Sequence, residues 1–155
     1  MYRSHAQRIN ALLEALNPEA DLRVIEIAPD DIEGVMRLKK CVDEGDHIAI
    51  LADRQMPGGR GRNVPFSFLG DKVEFPESPW ALAEVLRCPV VMATAVRVGE
   101  CHYEISVDPI ADRVRMRGPD GKRSHHALER YVKELERLCR KHPLQWFNFF
   151  DYWAK

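Results

Sequence analysis

His47-Ile-Ala-Ile-Leu51 is a short uninterrupted apolar run that stops at Asp53 and gives way to a glycine-rich stretch. It lacks the alternation of a strand with one wet face and is expected of a strand covered on both sides. Two-sided cover calls for helices, and the preceding sequence offers two. Ser4 followed by Gln7 makes a capping box, after which Ala6, Ile9, Leu12, Leu13 and Leu16 share one helical face until Asn17-Pro18. Leu22 to Ile27 has the apolar and β-branched content of a strand. Asp30 with Glu33 then opens a second helix carrying Ile32, Val35, Met36, Leu38 and Val42 and ending at Gly45. A helix–strand–helix–strand order predicts an α/β fold, a mixed β-sheet with helices packed on its faces.

The remainder of the chain extends this pattern. Residues 54–64 break all periodicity, and Pro57, Gly58, Gly59 and Gly61 make them a loop. Val64 to Phe68 and Lys72 to Phe75 flank a Gly70-Asp71 turn, which predicts a hairpin. Ser78-Pro79 opens a third helix, with Ser78 as its cap, that Cys88-Pro89 ends. Val90 to Val98 reads as another buried strand, followed by Tyr103, Ile105 and Val107 on a strand with one wet face. Ser124 begins the last helix, with Leu128, Tyr131, Val132, Leu135 and Leu138 on one side and Pro143 beyond its end. The aromatic tail from Trp146 to Trp153 fits a membrane-touching stripe, but packing over an edge of the core is the more usual role. With no repeat or linker, residues 1–155 read as a single domain.

Composition limits what such a domain does. At 45% hydrophobic and 30% charged residues the chain is globular rather than disordered. Basic and acidic residues balance at 23 against 24, so no global charge favours nucleic acid and electrostatic recognition must be local. Cys41, Cys88, Cys101 and Cys139 show no metal-type spacing and read as free thiols of a reducing compartment. The apolar runs are too short to cross a bilayer. The expected location is cytoplasmic, with attachment to the inner membrane surface left open.

Chemistry concentrates at Asp53, which lies at the carboxyl end of an apolar run, where α/β sheets place ligand groups. Arg54, Arg60 and Arg62 set three guanidinium groups on a loop whose glycines expose backbone amides, a combination suited to phosphate. A solvated loop fits the same composition equally well. It is not a nucleotide P-loop, because no Gly-Lys-Ser/Thr follows. His125-His126 has no third metal ligand at usable spacing and reads as a solvated helix end; His47 reads as a strand-edge residue. No serine or cysteine sits in a nucleophile elbow.

In order, these segments resemble the lysophospholipid acyltransferase superfamily, in particular its late lipid A lauroyl/myristoyl branch. Met1-Tyr-Arg-Ser resembles the "Tyr-Arg" of that branch, and Ile50-Leu-Ala-Asp-Arg54 its strand ending in aspartate. Arg62-Asn-Val-Pro-Phe66 is similar to its "Val-Pro-Phe", Cys88-Pro-Val-Val91 to its "Ala-Pro-Val-Val", and His142-Pro-Leu-Gln-Trp146 to its closing segment. The resemblance implies an acyltransferase-like domain that moves a fatty acyl chain from an acyl carrier protein or coenzyme A thioester to a hydroxyl of a lipid or glycolipid. No metal or resident cofactor is implied. It places Arg3, Asp53, Arg54, Gly58, Gly59, Arg60 and Arg62 against phosphate, sugar or phosphopantetheine. Pro65, Phe66 and the rest of Val64 to Phe68, with Trp80, would border an acyl groove.

One departure is decisive for chemistry. Enzymes of that family use His-x-x-x-x-Asp/Glu as general base, and the corresponding positions after the six histidines here are Asn10, Ala52, Val107, Arg130, Tyr131 and Phe147. None is acidic. In the family the motif precedes the segment matching Arg3, so the chain reads as the carboxyl-terminal half of such a domain, inactive alone. Half a domain would bare strand flanks at Leu22 to Ile27 and His47 to Leu51, and a two-fold homodimer is the expected response unless the aromatic tail folds back over the gap. The competing reading is a non-catalytic module binding lipid, acyl carrier or a partner protein. A small phosphate-ester enzyme built on Asp53 ranks last, for want of metal ligands.

Overall fold

The structure, a computed structural model, describes Ile25 and residues 31–54, 61–147 and 152–153. The helix expected over residues 4–16, and the strand Leu22 to Ile27 apart from Ile25, lie outside the described residues. So do Arg3, Gly58, Gly59 and Arg60.

The first described helix, α1 (Ile32–Asp43), is capped by Asp31 rather than Asp30, one residue later than expected. The Asp31 carboxylate accepts from the Gly34 amide at 2.8 Å. Glycine makes that approach feasible, since a Cβ at position 34 would collide with the same carboxylate. Of the apolar residues on this helix Leu38 is buried, while Ile32 and Met36 are about three-quarters and two-thirds exposed.

Residues 47–51 form no strand. This corrects the expectation that anchored a mixed sheet. Ile50 and Leu51 are 57% and 68% exposed, and among the described residues no strand pairs with them. An apolar run extends into a sheet only when a neighbour satisfies its backbone groups, and sequence content alone does not supply one.

Two antiparallel hairpins supply the β structure among the described residues. Strands β1 (Asn63–Phe68) and β2 (Asp71–Pro76) pair from Asn63↔Pro76 to Phe68↔Asp71. Their two-residue turn is Leu69-Gly70, one position before the expected Gly70-Asp71, and both residues have positive φ. Leucine is a poor occupant of that region, and its amide is held by Glu136 Oε1 at 3.1 Å. After the short helix α2 (Ser78–Leu86), capped at Glu77 rather than Ser78, strands β3 (Val90–Arg97) and β4 (Tyr103–Ala111) pair with a bulge at Val90/Val91.

The second hairpin corrects one expectation, since β3 is not covered on both faces. β4 has the single wet face expected, and it is that face which carries Tyr103, Ile105 and Val107, each more than half exposed. Met92 and Ile110 point inward to the core, together with a polar pair, Thr94 Oγ1 and Ser106 Oγ, at 2.8 Å.

The last helix, α3 (His126–Lys141), starts two residues after Ser124 and buries Leu128, Val132, Leu135 and Cys139 on one stripe. Its outer face is laced by Lys133–Glu129 and Arg140–Glu136 pairs four residues apart. The stripe meets Phe68, Val73, Phe75, Trp80, Met92, Ile110, Val114 and Met116 in one core. Helices and small antiparallel sheets around one core make an α plus β arrangement.

Candidate functional site around Asp53

Asp53 is held by the aromatic tail. Its side chain is 12% exposed, and its Oδ2 accepts from the Trp146 indole N–H at 3.3 Å. Its backbone carbonyl accepts from the Tyr152 hydroxyl at 2.5 Å. Arg54 lies 3.9 Å from the same carboxylate oxygen and donates to the Phe147 carbonyl at 3.2 Å. Beneath, Trp146 stands edge-on to Phe68 at 5.2 Å and to Tyr152 at 4.7 Å, and Phe68 is edge-on to Phe75 at 5.5 Å. The described tail residues thus lie over the core edge, with Trp146 and Tyr152 half-buried and Phe147 exposed.

A half-buried carboxylate beside an apolar core affects its neighbours. Burial, reinforced by the Asp53 charge, pushes the Tyr131 and Tyr152 hydroxyls well above the usual phenol range. The Cys139 thiol is pushed up to about 11, first by burial and then by Asp53 and Glu136. All three groups are therefore protonated at neutral pH, and Cys139 is no nucleophile there.

Arg62 is exposed, and its carbonyl accepts from the Glu77 amide at 2.8 Å, which ties the entry of β1 to the start of α2. Pro65 is exposed and Phe66 half-buried, edge-on to Phe75 at 6.3 Å. Trp80 is 3% exposed and stacked at a tilt on Tyr131, and its indole N–H finds no acceptor among the described residues.

Two clusters escape sequence reasoning. Glu77 is 6% exposed and ion-paired with Arg123, while His125 Nδ1, itself buried without a hydrogen bond among the described residues, lies 3.6 Å from the same carboxylate oxygen. His125 is thus not the solvated helix end expected, although His126 is exposed beside Glu129. The separation exceeds hydrogen-bonding distance and Arg123 occupies that oxygen, so Glu77 does not orient the imidazole as a general base. The second cluster is the alternating Arg113-Val-Arg-Met-Arg117, whose arginines face outward around buried Val114 and Met116. Among the described residues, no group of three or more histidine, cysteine, aspartate or glutamate side chains is arranged to hold a metal ion, and no helix is long and apolar enough to cross a membrane. No protein-family model matches this chain, and neither a curated protein nor a solved structure matches it.

Proposed function

We propose that this chain is the substrate-holding part of a lysophospholipid-type acyltransferase domain. Such a domain moves a fatty acyl chain from an acyl carrier protein or coenzyme A thioester to a hydroxyl of a lipid or glycolipid, peripherally at the cytoplasmic face of a membrane. The observation that carries this reading is convergence. Ala52-Asp53-Arg54 and the His142-to-Trp146 segment, both quoted above for the resemblance, meet where the Trp146 indole bonds the Asp53 carboxylate, and Trp146 packs in turn on Phe68, at the end of the strand that carries Val64 to Phe66. Asp53 and Arg54 brace the tail, and Arg62 remains exposed to meet an anionic substrate group.

The engagement of Asp53 by an indole also favours a second reading, a non-catalytic binding module, because it gives the carboxylate a structural task. Titration calorimetry with lauroyl-coenzyme A and lauroyl-acyl carrier protein, alongside a mass-spectrometric assay of transfer to a lysophospholipid, separates these readings. The acyltransferase-part reading expects thioester binding, weakened roughly tenfold by Arg62→Ala, and no turnover by this chain alone. Vesicle or partner binding with no affinity for either thioester selects the module. Turnover abolished by a histidine substitution in this chain overturns the reading that its base is absent.

A further inference from the structure

We infer that the cleft between the end of α2 and residues 113–115 binds a phosphate ester. Glu84, Val85, Arg87, Arg113, Val114 and Arg115 line a concavity of about 500 Å3. None of them belongs to the Asp53-to-Arg62 segment, so the site is separate from the one proposed above. The guanidinium groups of Arg87, Arg113 and Arg115 make no hydrogen bond or ion pair among the described residues. Several other basic side chains are engaged: Arg117 on the Gly121 carbonyl, Arg123 on Glu77, Arg137 on Glu134 and Arg140 on Glu136. Three like charges around one hollow repel each other, and an oxyanion with several acceptor oxygens relieves that repulsion through charge-assisted bonds.

The scaffold under these arginines is fixed. Val114 and Met116 are 2% and 9% exposed, so the alternation pins Arg113 and Arg115 outward. Glu84 Oε1 accepts from the Met116 amide at 2.8 Å and draws this segment onto α2. Its carboxylate is thereby engaged and leaves the hollow with an excess of positive charge. Arg87 closes α2 with φ +57°, in the left-handed region where glycine is the usual helix terminator. An arginine there bears a backbone cost that glycine would avoid, and what it brings in return is a guanidinium at the rim of the cleft. A second hollow of about 300 Å3 shares Arg113 and Arg115 and adds Arg117, Ser124 and His126. The combined space exceeds a bare phosphate several-fold, which favours an ester carrying an organic remainder.

The shared chemistry is a phosphate group, offered by a lipid headgroup or by a soluble phosphate ester. The test follows the arginine Nε–Hε signals by NMR during titration with inorganic phosphate, against potassium chloride of equal ionic strength. In parallel, the chain is floated with phosphatidylcholine vesicles with and without phosphatidic acid. Phosphate is expected to shift Arg87, Arg113 and Arg115 selectively, and R113A/R115A to lower affinity at least about tenfold. Arg87→Gly is the discriminating variant. Its melting temperature should hold or rise as the left-handed residue is relieved, while affinity falls several-fold. Vesicle binding that needs phosphatidic acid assigns the headgroup, and free-phosphate binding without vesicle binding assigns a soluble ester. Equal shifts with chloride, or wild-type binding of either probe by both variants, overturns the site.

Discussion

The two hairpins are built alike and dressed in opposite ways. β1–β2 turns its aromatic residues inward, so that Phe68 and Phe75 are fully buried against Trp146 and Tyr152. β3–β4 turns Val91, Tyr103, Ile105 and Val107 outward and keeps Thr94, Ser106 and Asp108 on its inner side. Period-two alternation appears in both. It identifies a strand, but which set of alternate residues lies inside is decided by what packs on the pleat. The first hairpin is oriented by α3 and the aromatic tail, whereas the second is anchored through buried Met92 and Ile110, with Val90 partly buried against the same core.

The largest effect should come from Phe68→Ala, which removes a ring with no exposure and leaves a cavity bounded by Phe75, Trp146 and Tyr152. A loss of about 3–5 kcal/mol is expected, read from urea denaturation. A loss below 1 kcal/mol would remove the contrast between the hairpins.

Trp146→Ala should cost less, about 2 kcal/mol, because the indole is half-buried and its N–H bond to Asp53 is part of what it gives up. Trp146→Phe keeps most of the ring packing and loses that bond, so it should recover more than half of the difference. If the two variants melt together, the bond rather than the ring holds the tail.

The cysteines compare the same regions chemically. Cys139 lies in the core and is expected to resist iodoacetamide at pH 8, while Cys101, exposed beyond β3, reacts readily. For Cys139 the folded pKa lies above the unfolded value, so the unfolded chain loses this proton first. Its stabilising contribution is complete below pH 9 and declines as pH rises toward about 11. Cys139→Ala should therefore flatten the alkaline fall of the melting temperature, by the equivalent of about 1–2 kcal/mol at most. An unchanged alkaline slope would show that the thiol is not desolvated.

Smallest is the effect of Ile105→Thr on the outer face of β4. At 73% exposure the side chain has little burial to lose, and a change within about 0.5 kcal/mol is expected by thermal melt. A loss of 2 kcal/mol would mean that this face is covered in solution.

Local chemistry was the legible part of the fold. The β1–β2 hairpin followed from a glycine between apolar stretches, and α3 followed from the spacing of Leu128, Val132 and Leu135. The cap of α1 moved from Asp30 to Asp31 because Gly34 admits that carboxylate, a distinction two adjacent aspartates conceal. Residues 47–51 and β3 misled for one reason: apolar content states that a segment tolerates burial, not that a partner is present. At the site, Asp53 stood out by its place after the apolar run, but its ties to Trp146 and Tyr152 span most of the chain. Glu77 with Arg123, and Arg87 with Arg113 and Arg115, likewise unite residues far apart in sequence, and no local pattern announces such pairs.

The bonds from the tail to Asp53 join residues 93 and 99 positions apart. Closing so long a loop costs chain entropy before its contacts are gained, and such contacts form late. During synthesis the strands and α3 emerge before Tyr152 does, so the aromatic edge over Phe68 stays open until Trp146 and Tyr152 have been added. The nascent chain therefore passes through a stage with its richest apolar surface uncovered, the stage at which aggregation competes with folding. The tail acts as a clasp, made after the strands and the helix that it closes over.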